Sequence, residues 1–304
     1  MTPEIHIYNQ DCITGMAERL AENSVDEVIT SIPFEELFTY SGKPEDVGNN
    51  GSTINIREGR FALNLRFVIA ELLRVLKPGH NVCIHIQQLL AYKNQHGFIG
   101  RRDFRGAVID LFSAGGFEWK GEFIICKNPQ AMAQRLNLHC LMFQTGYTNA
   151  RNLAPAPNDY VLIFQKPGES EIPAPALYSD KKNPDGWLTT NDWVRDAHGV
   201  WTDIQETDVL DGYRAARESD QEKHVCPLQL EVIRRLMLLY TNAGETVLDP
   251  FIGIGSTAYV AIEQGRSAVG FELKESYYEQ SLANVKLAQA RTKQEVMPLL
   301  AACA

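Results

Sequence analysis

The chain has 304 residues, 44% of them hydrophobic and 22% charged, with a formal net charge of −9 at pH 7. That size buries a sizeable core, as one large domain or one domain with an inserted piece. No apolar run reaches the ~20 residues that span a bilayer, and Met1-Thr2-Pro3-Glu4 lacks the basic and apolar stretches of a signal peptide, so the expectation is a soluble, cytoplasmic protein with no membrane partner.

Taken in order, Ile5 to Tyr8 predicts a short strand, with a helix following through Leu20. Val25 to Thr30 predicts a second strand, stopped by Ser31-Ile32-Pro33-Phe34. Residues 35–60 are rich in Gly, Asn, Ser and charge and predict a long loop, which in a compact domain is usually functional. Phe61 to Leu76 has helical spacing, with Leu65, Val68, Ile69, Leu72, Leu73 and Leu76 on one face, and Lys77-Pro78-Gly79 stops it. Val82 to Ile86 predicts a strand, Phe104 to Ala114 an amphipathic helix, and Trp119 to Cys126 and Tyr160 to Phe164 two more strands. Residues 127–158 between those strands read as irregular and polar. From Gly168 to Lys223 periodicity weakens, which predicts an insertion or peripheral layer. Pro227 to Tyr240 predicts a helix, followed by a glycine-containing turn, a helix to Gln264, a strand from Ser267 to Phe271 and a last helix from about Ser276. Strands alternating with helices imply an α/β fold, a mostly parallel sheet covered on both faces.

The glycine turn is the most informative segment. Thr246-Val247-Leu248-Asp249-Pro250-Phe251-Ile252-Gly253-Ile254-Gly255-Ser256-Thr257 runs from a strand through a proline break and two glycines into a helix. The glycines let a ligand approach the backbone. Gly253 to Ala258 fits the dinucleotide pattern G-x-G-x-x-G/A, and Glu272 ends the next strand, where an acid holds a ribose diol. By itself the segment indicates a ligand with an adenosine half, and a nicotinamide-dependent oxidoreductase fits it too. That reading leaves Ser31-Ile32-Pro33-Phe34 unexplained. The tetrapeptide ends a strand, where α/β sheets place reactive residues. Its hydroxyl, proline-stiffened turn and aromatic ring suit a flat, amino-bearing base.

Together the two segments resemble the β class of S-adenosylmethionine-dependent DNA amino-methyltransferases. That family carries Asp/Ser/Asn-Pro-Pro-Tyr/Phe near the N-terminus and Asp-Pro-Phe-x-Gly-x-Gly-Ser/Thr-Thr near the C-terminus. The resemblance runs along residues 5–165 and 224–285. It implies a Rossmann-like methyltransferase fold with a mostly parallel seven-stranded sheet, helices on both faces and a circularly permuted motif order. Residues 1–167 would form the catalytic half, 168–223 an insertion or peripheral segment, and 224–304 the cofactor-binding half of the same domain. The implied cofactor is S-adenosyl-L-methionine. Asp249, Pro250, Phe251, Gly253, Gly255, Ser256 and Thr257 would line its pocket and Glu272 would hold its ribose. Asp11, with Cys12 beside it, would reach the adenine, and His224 and Pro227 would add a further contact. Cys12, Cys83 and Cys126 otherwise read as core residues. Ser31, Ile32, Pro33 and Phe34 would hold the target base.

Ile32 departs from the family, which has proline there. The mechanism implied by the resemblance uses a main-chain carbonyl at this position, which Ile32 still supplies. A catalytically inactive, DNA-binding relative stays open on this ground, and the acidic balance leaves open the same chemistry on RNA or protein. Serine at the first motif position resembles the cytosine-N4 branch, so cytosine N4 is favoured over adenine N6. A target base in duplex DNA must be flipped out. The family's enzymes serve DNA methylation and restriction–modification, and they often pair as homodimers. Six scattered cysteines, without a Cys-x-x-Cys pair, predict no metal site. The acidic balance requires any DNA footprint to be local. Between Lys93 and Arg135 there are seven Lys or Arg against four Asp or Glu, with Arg101, Arg102 and Arg105 clustered. Loop 35–60 (Tyr40, Lys43, Asn49, Asn50, Arg57) and segment 127–158 (Gln130, Gln134, Arg135, Asn137, Arg151) are candidate DNA-recognition elements, because Asn, Gln and Arg can read base edges.

Overall fold

Short apolar runs bounded by turn residues form the strands, and stripes of Leu, Ile and Val at helical spacing cover them. The computed structural model describes residues 3–33, 47, 57–135, 141–177, 188–212, 216 and 227–302. In chain order the elements are β1 (Ile5–Tyr8), α1 (Cys12–Arg19), β2 (Glu27–Ser31), α2 (Arg60–Val75), β3 (Asn81–Gln87), β4 (Leu89–Ala91), α3 (Lys93–His96), β5 (Gly100–Arg102), α4 (Phe104–Ala114) and β6 (Glu118–Ile125). They continue with α5 (Pro129–Arg135), α6 (Phe143–Asn149), β7 (Asp159–Gln165), α7 (Thr190–Asp196), β8 (Val200–Trp201), α8 (Leu230–Tyr240), β9 (Thr246–Asp249), α9 (Ser256–Glu263), β10 (Ser267–Phe271) and α10 (Glu275–Ala302).

The main sheet has the order β1-β10-β9-β2-β3-β7-β6-β8. From β1 to β3 every pairing is parallel. β7 runs antiparallel to both β3 and β6. The two C-terminal strands β9 and β10 therefore lie between the N-terminal strands β1 and β2. Seven strands were expected, and among the described residues the sheet has eight. The extra strand, β8, pairs with β6 through Val200 and Trp201 alone. Two residues carry no periodicity, so burial defines this strand. Trp201 stacks on Phe123 with ring centroids 4.5 Å apart, and its indole N–H donates to the Asp196 carbonyl at 3.0 Å. Asp196 is itself buried against Arg195, at 2.5 Å, and Arg235 of α8, at 3.3 Å. Within 168–223, α7 and β8 are thus tied to the core by packing that the sequence pattern does not announce.

Each face of the sheet has its own core. One holds α1, α2 and α4, with Leu65, Val68, Ile69 and Leu72 buried in the predicted stripe. The other holds α8, α9 and α10, with Leu230, Ile233, Leu236 and Met237 buried likewise. Burying each such side chain contributes roughly 1.5–3 kcal/mol. Residues 127–158 are not wholly irregular. They contain α5, α6 and a 3₁₀ turn at Ala150–Asn152. The hairpin β4–β5 with α3 at its tip also escapes the sequence pattern, because its strands are three residues long.

Trp201→Ala is expected to cost about 3–5 kcal/mol of folding stability by urea denaturation. An unchanged midpoint would mean that β8 is not part of the core.

Candidate active site

The strands β1, β10, β9, β2 and β3 all point the same way, so their carboxyl ends share one edge of the sheet. From β9 the chain passes through α9 to β10 on one side, and from β2 through α2 to β3 on the other. Neighbouring strands whose connections diverge leave a crevice between them, the usual ligand site of an open α/β sheet. The glycine turn and Ser31-Ile32-Pro33 end the two strands that flank it.

Asp249 joins the two sides. Its Oδ1 accepts from Thr30 Oγ1 at 2.6 Å and from the Phe251 N–H at 3.1 Å, and its Oδ2 accepts from Thr257 Oγ1 at 2.7 Å. One carboxylate thus fixes β2, the turn and the first residues of α9. Burial pushes the carboxyl up to about 6, against the opposing pull of those three donors. Pro250, Ser256 and Thr257 are buried with it, while Phe251 and Gly253 are half-exposed. Gly253 has φ +54°, and a Cβ there would stand in open space. Gly255 has φ +92°, and a Cβ there would meet Ser281 Cβ at 3.1 Å. The first glycine serves the turn, and the second also lets α10 approach.

Two acidic residues stand on the neighbouring strand ends. Asp11 caps α1, its Oδ1 accepting from the N–H groups of Ile13 and Thr14 at 3.1 and 2.9 Å. Glu272 follows β10, and its Oε1 accepts from the Lys274 N–H at 2.8 Å. Both are half-exposed. Cys12 is buried in the core, and burial, then the charge of Asp11, pushes its thiol up. It stays a protonated, apolar neighbour of the site. Cys83 is also buried and Cys126 is half-buried. Pro227 is half-buried just before α8, and the helix begins at Leu230, later than the predicted start. Gln229 between them is buried, with an Oε1 that finds no partner among the described residues. His224 and Phe34 lie outside the described residues.

On the other side of the crevice, Ser31 is not isolated. Its Oγ lies 2.9 Å from His85 Nδ1, and His85 Nε2 lies 3.1 Å from Asp159 Oδ2. Lys127 Nζ is 2.7 Å from the same oxygen, and Gln87 Nε2 donates to Asp159 Oδ1 at 2.8 Å. Thr30, His85, Asp159 and Lys127 are functional candidates that sequence reasoning missed. The available signal was a histidine inside the apolar run Val82 to Ile86 and an aspartate opening β7. Ile32 is only 2% exposed and belongs to the core beneath α1 and α2. Its side chain anchors the turn by burial, where the family pattern stiffens it with a ring.

The basic residues read as a DNA footprint divide. Arg105 pairs with both oxygens of Glu122 and lies over the rings of Trp119 and Tyr160. Arg57 pairs with Asp110 at 2.7 Å, and Arg101 donates to the Pro155 carbonyl at 2.5 Å. These three fasten the protein to itself. Gln130, Gln134 and Arg151 are exposed, and α6 presents Phe143 and Tyr147, 82% and 77% exposed. Arg135 closes α5. Tyr40, Lys43, Asn49, Asn50 and Asn137 lie outside the described residues. Among the described residues no cluster of three His, Cys, Asp or Glu is arranged to hold a metal. No helix among them is long and apolar enough to cross a membrane.

Comparison with known proteins places this architecture. Residues 25–283 match the family model described as DNA methylase. The chain is 29% identical over 271 residues to Type II methyltransferase M.MthZI of Methanothermobacter thermautotrophicus, covering 85% of this chain and 70% of that protein. It is 26% identical over 211 residues to Type II methyltransferase M.MjaI of Methanocaldococcus jannaschii, covering 68% of this chain but only 61% of that protein. Among solved structures, TTHA0409 of Thermus thermophilus, complexed with S-adenosyl-L-methionine, superposes with a TM-score of 0.66 at 22% identity over 94% of both chains. PvuII DNA methyltransferase (cytosine-N4-specific) gives 0.61 at 18% identity, over 93% of this chain and 87% of that one. These two likenesses establish the fold.

Two outcomes follow from the site's packing. Ile32→Ala should cost about 2–4 kcal/mol in urea denaturation; a loss below 1 kcal/mol, on the order of a surface change, would mean that the turn is anchored elsewhere. The folded protein holds the Asp249 proton more tightly than the unfolded chain, whose carboxyl titrates at its ordinary 3.8. Folding stability contributed by this group therefore falls as pH rises from about 4 to about 6, by up to ~3 kcal/mol. Asp249→Asn should remove that slope. Parallel stability–pH curves for the two proteins would refute it.

Proposed function

Since this chain belongs to the DNA methylase family, we propose that it transfers a methyl group from S-adenosyl-L-methionine to the exocyclic amine of a base in duplex DNA, cytosine N4 in preference to adenine N6. The observation that carries this reading is the meeting of Ser31 and the glycine turn at adjacent strand ends, joined by the Thr30–Asp249 hydrogen bond. The reversed chain order of the two segments, Ser31 before Asp249, is read as a circular permutation within one domain.

The residues at the crevice suit the cofactor. Open space above Gly253 leaves room against the backbone. Asp11 Oδ2 makes no hydrogen bond among the described residues, and it can take an adenine amino group. Glu272 ends β10, in position for a ribose diol, and half-exposed Phe251 offers an apolar wall. When bound, S-adenosyl-L-methionine supplies an electrophilic methyl group on a sulfonium. The chain's own task is to hold an amine that is a poor nucleophile, its lone pair being delocalised into the ring. Ser31 Oγ and the Ile32 carbonyl accept its N–H groups and so favour a pyramidal nitrogen. Pro33 stiffens the turn, and Phe34 is assigned to stack on the base. Much of the rate gain comes from positioning two reactants. The base must leave the duplex, at a cost of a few kcal/mol that aromatic stacking of ~1–3 kcal/mol partly offsets. Serine at position 31 supports the cytosine preference.

Mixed-sequence duplex DNA incubated with labelled S-adenosyl-L-methionine, followed by nucleoside mass spectrometry, tests this directly. The expected product is N4-methylcytosine, with Ser31→Ala lowering the rate by about 10²-fold or more while cofactor binding persists. N6-methyladenine would correct the base. Absence of any methylated nucleoside would overturn the reading in favour of an inactive or non-DNA relative.

A further inference from the structure

Ser31, His85, Asp159 and Lys127 span adjacent strands at the edge where the crevice lies. Ser31 and His85 are register partners in β2 and β3. Asp159 opens β7 opposite Gln87, and Ile125 of β6, two residues before Lys127, is its partner on the other side. His85, Asp159 and Lys127 are all buried. Two charges and an imidazole in this place are a poor way to stabilise a sheet, because apolar residues of similar volume usually do as well or better.

The hydrogen-bond directions follow from the chemistry of the groups. Burial pushes the Asp159 carboxyl up, but the hydrogen bond from His85 and the pairing with Lys127 oppose it, and the carboxyl is held below its ordinary range. An ionised carboxylate only accepts, so His85 Nε2 carries the proton that points at Asp159. In the neutral ring Nδ1 then keeps its lone pair, and the Ser31 hydroxyl hydrogen turns toward it. Both lone pairs of Ser31 Oγ remain to accept an amine.

The geometry points to a proton path in which His85, oriented by Asp159 and Lys127, takes through Ser31 the proton that the methylated amine must lose. This rests on the amine methylation proposed above. Transfer forms a carbon–nitrogen bond and breaks the carbon–sulfur bond, whose electron pair stays on sulfur. The amine nitrogen is left with a positive charge and one proton too many. That proton goes to Ser31 Oγ as the hydroxyl's own proton passes to His85 Nδ1. The product amine is neutral, and the imidazolium faces Asp159. The proton leaves the imidazolium for solvent before the next turnover. His85 acts through Ser31 and is a positioning residue.

The test uses the full chain, with kcat and KM for duplex DNA, equilibrium binding of labelled S-adenosyl-L-methionine, and a thermal melt. His85→Asn leaves an amide oxygen that accepts from Ser31 but takes no proton. Its kcat should fall about 10²–10³-fold with KM and cofactor binding within about threefold of wild type. Residues that act as a unit are not additive, so Ser31→Ala/His85→Asn should be no slower than Ser31→Ala alone. If His85→Asn melts early, Asp159→Asn carries the test, with the same loss confined to kcat. A His85→Asn enzyme with nearly wild-type kcat, or losses that multiply in the double variant, would sink the proton path. A wild-type protein that methylates no DNA would instead bring down the proposed function, and the path with it.

Discussion

Asp249 is buried where two parallel strands part company, and three segments meet on its carboxylate. Thr30 comes from β2, Phe251 from the turn and Thr257 from α9. A buried carboxylate without donors is expensive, and hydrogen bonds to a charged group are worth roughly 1.5–3 kcal/mol each. The three donors are therefore compelled to stay, and with them the spacing between the Ser31 strand and the glycine turn. Residues more than two hundred positions apart in sequence are held at hydrogen-bond distance. The crevice keeps its width because separating its walls would strip a buried acid of its partners.

The second buried charge system, Lys127–Asp159–His85, performs the equivalent task on the other flank. It crosses from the antiparallel strands to the parallel ones and ends on Ser31. The two systems grip β2 at consecutive residues, Thr30 and Ser31, from opposite neighbours. Ile32 then enters the apolar core, so the backbone that carries its carbonyl is fixed from below.

An acidic chain whose proposed partner is DNA must concentrate its positive charge. Part of the expected concentration is offset, since Arg57 and Arg105 pair with the carboxylates of Asp110 and Glu122, while Arg101 is tethered to the Pro155 carbonyl and keeps its charge. Long side chains near the surface find internal acceptors as readily as phosphates, and sequence clustering does not distinguish the two. Gln130, Gln134 and Arg151 on the segment after β6 are exposed instead, as are Phe143 and Tyr147 nearby in sequence.

The alternation of strands and helices, the apolar stripes of α2 and α8, and the two motif segments were all legible in the order of the residues. Each is a local matter: periodicity, a proline stop, or a glycine whose φ no other residue takes easily. The strand-terminal acids Asp11 and Glu272 were legible for the same reason. Folding in three dimensions was needed to bring β9 and β10 between β1 and β2, to make Val200 and Trp201 an eighth strand, and to set Asp249 against Thr30. It was needed equally to join His85, Asp159 and Lys127 into one chain ending on Ser31. Those residues are separated by tens of positions and have no common period. They meet because parallel strands align their ends at one edge of the sheet, and because a charge buried there must find its partner on a neighbouring strand.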